Sequence, residues 1–192
     1  MSGDQLGDVA RGRAALLNTF AWHDGHADVW RVFRDAHALA DVVRGLVAPY
    51  TSLGVTAITG IEGRGFLLGG AAAMQLGVGF VAIRKEGALL PGAKVRHTTD
   101  PDYRGHRHEL LLQRDTLSAN DRVLLVDDWA ETGSQARAAR HLVQACGAEL
   151  VGVSVMIDQL TAEVRRALPG FTALAPFADL PVLDASHPSG CG

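Results

Sequence analysis

The residues best suited to chemistry lie together between Val123 and Gln135. An apolar run, Val123 to Val126, delivers two adjacent carboxylates, Asp127 and Asp128, and Thr132, Gly133 and Ser134 follow at the start of a helical pattern. Neighbouring carboxylates can accept hydrogen bonds from vicinal hydroxyls or hold water on a bound magnesium ion. A Thr-Gly-Ser turn at a helix N-terminus offers backbone N–H groups and hydroxyls to a phosphate dianion. The two parts side by side suit a sugar phosphate. An acid pair alone would read as a solvated strand end, and the turn alone as a helix cap. The dry strand before them and the amphipathic helix after them favour binding.

Two further clusters could grip anions. Glu62, Gly63 and Arg64 form a glycine-rich loop before an apolar helix, and Arg64 supplies a planar cation suited to phosphate oxygens. Arg84 and Lys85 leave a strand into a loop, where such a dipeptide is by default solvated surface. Familiar nucleotide motifs do not compete. The chain has no Gly-x-x-x-x-Gly-Lys-Ser/Thr, and Gly77-x-Gly79-x-x-Ala82 precedes a strand rather than a helix. His106 and His108 would share a face of a strand, but no third metal ligand stands near them. Cys146 and Cys191 make neither a disulfide framework nor a zinc site.

These groups need a scaffold, and the hydrophobic periodicity supplies one. An amphipathic helix is expected over the first twenty residues, then a polar stretch Trp22 to Asp28 and a short strand Val29 to Phe33. A helix follows on Leu39, Val42, Val43, Leu46 and Val47. Strands are expected at Val55 to Thr59, Phe80 to Ile83, Val123 to Val126 and Val151 to Ile157, with helices at Phe66 to Leu76, capped by Gly77, and from Thr132 to Cys146. Val95 to Leu112 reads as a hairpin with a long mobile tip, and the chain closes on an amphipathic segment around Leu160 to Leu168 and a proline-punctuated tail. Alternating strands and helices imply an α/β fold, an open and mostly parallel sheet flanked by helices, with ligands at the carboxyl ends of its strands.

At 192 residues the chain fits one domain, expected over 28–181, with an N-terminal arm over 1–27 and a disordered tail over 182–192. A net charge of −3 argues against a nucleic-acid partner, which calls for a basic stripe. No apolar run of membrane-spanning length appears, so no membrane partner is expected and the reading is cytoplasmic.

The acid pair and its turn resemble the phosphoribosyl pyrophosphate (PRPP) signature of type I phosphoribosyltransferases. Val32 to Asp35, Gly60 to Phe66, Gln75 to Lys85 and Pro91-Gly92 resemble the adenine phosphoribosyltransferases of that family, in order and spacing. The resemblance implies that family's fold, with a small hood and a mobile hairpin loop. It also implies transfer of phosphoribose from PRPP to a purine base with magnesium, by a homodimeric enzyme of purine salvage. Asp127 and Asp128 would hold the ribose hydroxyls, directly or through magnesium-bound water, and Ala130, Glu131, Thr132, Gly133 and Ser134 would cradle the terminal phosphate. Glu62, Gly63, Arg64, Arg84 and Lys85 would face pyrophosphate, in a loop that in the family often carries a non-proline cis peptide. Val32, Phe33, Arg34 and Ile157 would contact the base, and Asp102 and Tyr103 would belong to a closing catalytic loop.

The sequence departs from that pattern at several positions. Asp102 replaces the usual Glu, an extra Arg104 precedes Gly105, Ser134 and Gln135 replace Gly and Thr, and Val29-Trp30 replaces Pro-Gly. Glu131 stands where adenine enzymes have a small residue and 6-oxopurine enzymes an Asp that takes the proton of the base. Two alternatives therefore accompany adenine transfer. One is an enzyme for a 6-oxopurine or another heterocycle that uses Glu131, and the other is a non-catalytic PRPP or nucleotide sensor on the same fold.

Overall fold

A computed structural model describes residues 1–101 and 105–182. Seven strands form the main sheet, in the order β5-β6-β4-β3-β7-β8-β9: β3 (Ala57–Ile61), β4 (Gly79–Lys85), β5 (Lys94–Thr98), β6 (Glu109–Gln113), β7 (Arg122–Ala130), β8 (Glu149–Asp158) and β9 (Phe171–Pro176). β4, β3, β7, β8 and β9 pair in parallel, and the hairpin β5–β6 adds an antiparallel edge to β4.

Along β7 the side chains alternate between two cores. Val123 and Leu125 join Ala139, Leu142 and Val143 of α5 (Ser134–Ala145), whereas Leu124 and Val126 join Val42 and Leu46 of α3 (Ala36–Val47) and Leu68 and Ala72 of α4 (Arg64–Leu76). A strand buried on both faces must be apolar throughout, as this run is. The connection β3–α4–β4 leads toward one edge of the sheet, and β7–α5–β8 toward the other. The chain therefore reverses direction between β3 and β7, and a crevice opens there at the carboxyl ends.

Several expected elements differ in extent or kind. Val29 to Phe33 is helical rather than extended, because an Asp28 carboxylate oxygen accepts from Trp30 N–H at 3.0 Å and starts α2 (Trp30–Arg34). Asp35 then caps α3 by accepting from the N–H groups of His37 and Ala38. Trp22 to Asp28 folds into a small hairpin, β1 (Ala21–His23) with β2 (His26–Asp28), turned by Asp24 and Gly25 at positive φ. β7 does not stop at Val126 but carries the acid pair within it, as its pairing with β8 continues to Ala130. The tail contains β9, whose Leu174 and Ala175 are buried.

The N-terminal segment packs on this body. Leu16 of α1 (Gly3–Thr19) is fully buried in the same core as Val42 and Leu46. Tyr50 locks that layer to the sheet: its hydroxyl meets Val153 O, Gly170 O and Thr172 Oγ1 at 2.7–3.0 Å, and burial pushes its pKa up to about 12. Among the described residues no helix is long and apolar enough to cross a membrane.

Candidate active site

A cavity of about 670 Å³ occupies the crevice. It is lined by Asp127, Asp128 and the turn Ala130 to Gln135, by the loop residues Glu62, Gly63, Arg64 with Lys85, and by a wall of aromatic side chains.

The acid pair is held in a strained electrostatic setting. Asp128 is buried, and its Oδ2 lies 2.7 Å from Arg64 Nε without a hydrogen bond of proper alignment from any described residue. Asp127 is half-buried and accepts from Asp128 N–H at 2.9 Å. Burial, then the neighbouring Asp128 charge, pushes the Asp127 carboxyl well above the usual carboxylate range. The backbone of α4 comes close because residue 65 is glycine: a Cβ there would lie 2.9 Å from Asp127 Oδ1. Two carboxylates thus face the cavity with unused capacity to accept hydrogen bonds.

Downstream, Gly133 at φ 71 precedes α5, and Ser134 N–H and Thr132 Oγ1 are 3.3 Å apart. Arg137 closes the turn from behind, donating from Nη1 to Thr132 O at 3.2 Å and from Nε to Asp100 Oδ2 at 3.2 Å. The turn therefore presents backbone N–H groups and hydroxyls at the positive end of a helix within the same cavity as the acid pair.

Among the loop residues Gly63 adopts φ 113 and ψ −132, a conformation only glycine enters readily. It turns the chain without a cis peptide; none occurs among the described residues, contrary to the expectation for this loop. Arg84 donates to both Glu62 oxygens, at 3.1 and 3.2 Å, and Lys85 N–H donates to Glu62 Oε2 at 2.8 Å. These bonds, those from Arg84 first, hold the Glu62 carboxyl below its usual range. Glu62 and Arg84 thereby brace the loop, while Lys85 lines the cavity and Arg84 does not. Arg64 lies at the acid pair with its guanidinium 5.7 Å from the Trp30 ring centroid.

The aromatic wall was not legible in advance. Trp22, Trp30, Trp129 and Phe177 line the cavity together with His26 and Gln159. Phe177 lies 5.8 Å from Trp129 and 6.3 Å from Trp22 between ring centroids. The expected base contacts lie elsewhere: Val32 and Ile157 are fully buried in the core, Phe33 is half-buried against it, and Arg34 closes α2. None of these residues lines the cavity, because the helical turn of α2 brings Trp30 to it instead. Trp30 and Trp129, each beside a recognised motif, were the available signal. Asp102 and Tyr103 lie outside the described residues.

Comparison with known proteins bears on this geometry. The profile of the phosphoribosyl transferase domain matches residues 30–169. The chain is 41% identical over 143 residues to the adenine phosphoribosyltransferase of Methylococcus capsulatus, spanning 74% of this chain and 82% of that one. This chain belongs to the phosphoribosyltransferase family.

Solved phosphoribosyltransferases share its architecture. The adenine phosphoribosyltransferase of Rhodothermus marinus superposes with a TM-score of 0.76 at 28% identity, covering 86% of this chain and 98% of that one. The Giardia lamblia enzyme, solved with 9-deazaadenine, superposes with a TM-score of 0.71 at 31% identity, covering 79% and 86%. The parallel sheet flanked by helices is thus the type I phosphoribosyltransferase fold, and the acid pair, glycine turn and glycine-flanked arginine of this family member converge on one cavity.

Proposed function

We propose that the protein transfers phosphoribose from PRPP to adenine, releasing pyrophosphate and forming AMP, in purine salvage. The observation that carries this reading is the convergence of the acid pair, a glycine turn at a helix N-terminus and the cationic Arg64 and Lys85 in one cavity beside an aromatic wall.

In this reading the ribose hydroxyls donate to Asp127 and Asp128, and the 5′-phosphate takes N–H donors from Thr132, Gly133 and Ser134. Glu62 and Gly63 shape the loop at the pyrophosphate, and Lys85 and Arg64 stabilise charge on that leaving group as the anomeric C–O bond breaks. By analogy with glycoside chemistry the transition state is oxocarbenium-like, so leaving-group neutralisation dominates. The base attacks from the aromatic side, where Trp30 and Trp129 restrict its plane and exclude water. Glu131, which lines the cavity, accepts the proton of the base.

The donor set suits magnesium. Asp128 Oδ2 is a buried oxygen without an aligned donor, and adjacent carboxylates hold magnesium-bound water rather than enclosing the ion. Among the described residues no cluster of three or more acidic, histidine or cysteine ligands occurs, so the remaining ligands would come from water and PRPP. When bound, the ion neutralises charge on pyrophosphate.

Homodimeric assembly and cytoplasmic residence belong to the same proposal. Leu67 and Met74, seven residues apart on α4, are 50% and 84% exposed, an apolar stripe suited to a second copy.

The test is a panel of adenine, hypoxanthine and guanine incubated with PRPP and magnesium, with pyrophosphate release measured. Turnover of adenine supports the proposal. Turnover of hypoxanthine or guanine alone, abolished in Glu131→Ala, would replace it with a 6-oxopurine enzyme.

A further inference from the structure

Beyond the acid pair, the strand β7 carries one more unusual residue into the cavity. Trp129 packs against Phe177 on one side and donates its indole Nε1–H to Gln159 Oε1 at 3.0 Å. An indole nitrogen can only donate, so the acceptor must be the amide oxygen of Gln159. This fixes the orientation of the side-chain amide on chemical grounds. Its Nε2 is left with two N–H donors and no hydrogen-bond acceptor among the described residues.

The backbone of Gln159 is tied as well. Its N–H donates to Ala130 O at 2.8 Å, which binds the residue after β8 to the end of β7. Gln159 is an exposed residue lining the cavity, with its main-chain N–H and its amide oxygen both engaged and its amide N–H groups open to a ligand. Trp22 Nε1 donates to Pro181 O at 2.6 Å, and the Asp158 carboxylate accepts from Leu160 N–H and Arg165 Nε. A fixed donor beside aromatic rings suits a flat heterocycle with an in-plane acceptor.

We infer that Gln159 is a specificity-determining residue of the base site, donating an amide N–H to a ring nitrogen of the incoming base in the orientation that Trp129 imposes. The inference rests on the proposed transfer to adenine and adds to it a residue that reads the edge of the base. Trp129 acts through Gln159 as a positioning residue.

The experiment pairs the wild type and Gln159→Leu with adenine and with 1-deaza-, 3-deaza- and 7-deazaadenine, each lacking one ring-nitrogen acceptor. Competitive inhibition constants are read for the three analogues and KM for adenine. One analogue should bind the wild type about 3- to 10-fold more weakly than adenine, as expected for one neutral hydrogen bond, and that penalty should vanish in Gln159→Leu. The other two analogues should give the same ratio in both proteins. A merely structural role for Gln159 would weaken every base alike. Equal penalties in both proteins for all three analogues would overturn the inference while leaving adenine transfer standing. A wild type that does not use adenine at all would overturn the proposed function and this inference with it. Trp129→Phe, which keeps the aromatic packing but loses the indole donor, should reduce the selective penalty; an unchanged penalty would refute the positioning role of Trp129.

Discussion

The two halves of the cavity, proposed to take the phosphate and the base, are built in different ways. The phosphate half comes largely from one contiguous segment, Asp127 to Ser134, on a buried strand and at the start of a helix. The base half is assembled from residues distant in sequence: Trp22 and His26 on the small hairpin, Trp30 on α2, Trp129 on β7, Gln159 after β8 and Phe177 after β9. Local chemistry fixes the first, whereas the second depends on how the hairpin, α2 and the end of the sheet pack together. Binding of the sugar phosphate should therefore fail at single residues, and recognition of the base should erode gradually.

The largest expected effect is on the acid pair. Asp128→Asn removes the charge paired with Arg64 and one acceptor for ribose, and hydrogen bonds to charged groups contribute about 1.5–3 kcal/mol each. Steady-state kinetics should show kcat/KM for PRPP falling by about 100-fold, with the KM for adenine little changed. A parallel rise in both KM values would erase the distinction between the halves. Next comes Lys85→Ala, which should lower kcat by about 100-fold while PRPP affinity, read by calorimetry, changes less, since this cation acts as leaving-group charge develops. An affinity loss equal to the kcat loss would assign Lys85 to ground-state binding.

How far the sequence carried the reading follows the same division. The alternation of Val123 and Leu125 against Leu124 and Val126 announces a strand buried on both faces, and Thr132 to Ser134 announces the helix start. The hairpin at Trp22 to Asp28 and β9 were less legible. The hairpin is too short and polar for a period-two pattern, and Pro169 and Pro176 bracket β9 so that its run reads as tail. Val32 and Phe33 were expected in a strand by their β-branched and aromatic character, but the Asp28 carboxylate accepting from Trp30 N–H opens a helical turn there, which leaves Trp30 rather than Phe33 lining the cavity. Arg84 was grouped with Lys85, and only the structure separates a loop brace from a residue at the cavity.

A smaller effect sharpens the contrast from the base side. Trp129→Leu should raise the KM for adenine by about tenfold, since stacking of a base on an aromatic ring is worth about 1–3 kcal/mol, and leave PRPP affinity within about twofold. A large loss of PRPP affinity would show that the halves are energetically one.

The smallest effect concerns acid stability. Glu62 titrates below its ordinary value of 4.5 because of its bonds to Arg84 and Lys85. Its folded pKa is therefore depressed relative to the unfolded chain, and the stabilisation is present above 4.5 and lost as pH falls through the folded value. Thermal melts of Glu62→Gln and the wild type should differ most near neutrality and converge toward the acid end. A difference that is independent of pH would remove the charge-based account of this brace.

The central claim is that the strand β7 and the turn after it hold the sugar phosphate without help from the base. Titration of magnesium-PRPP into the protein by calorimetry, with no base present, tests it most directly in the wild type and in Asp127→Asn/Asp128→Asn. The account predicts saturable binding by the wild type and affinity weakened by about 100-fold or more in a double variant that still melts cooperatively. Equal affinity in the two proteins would contradict it.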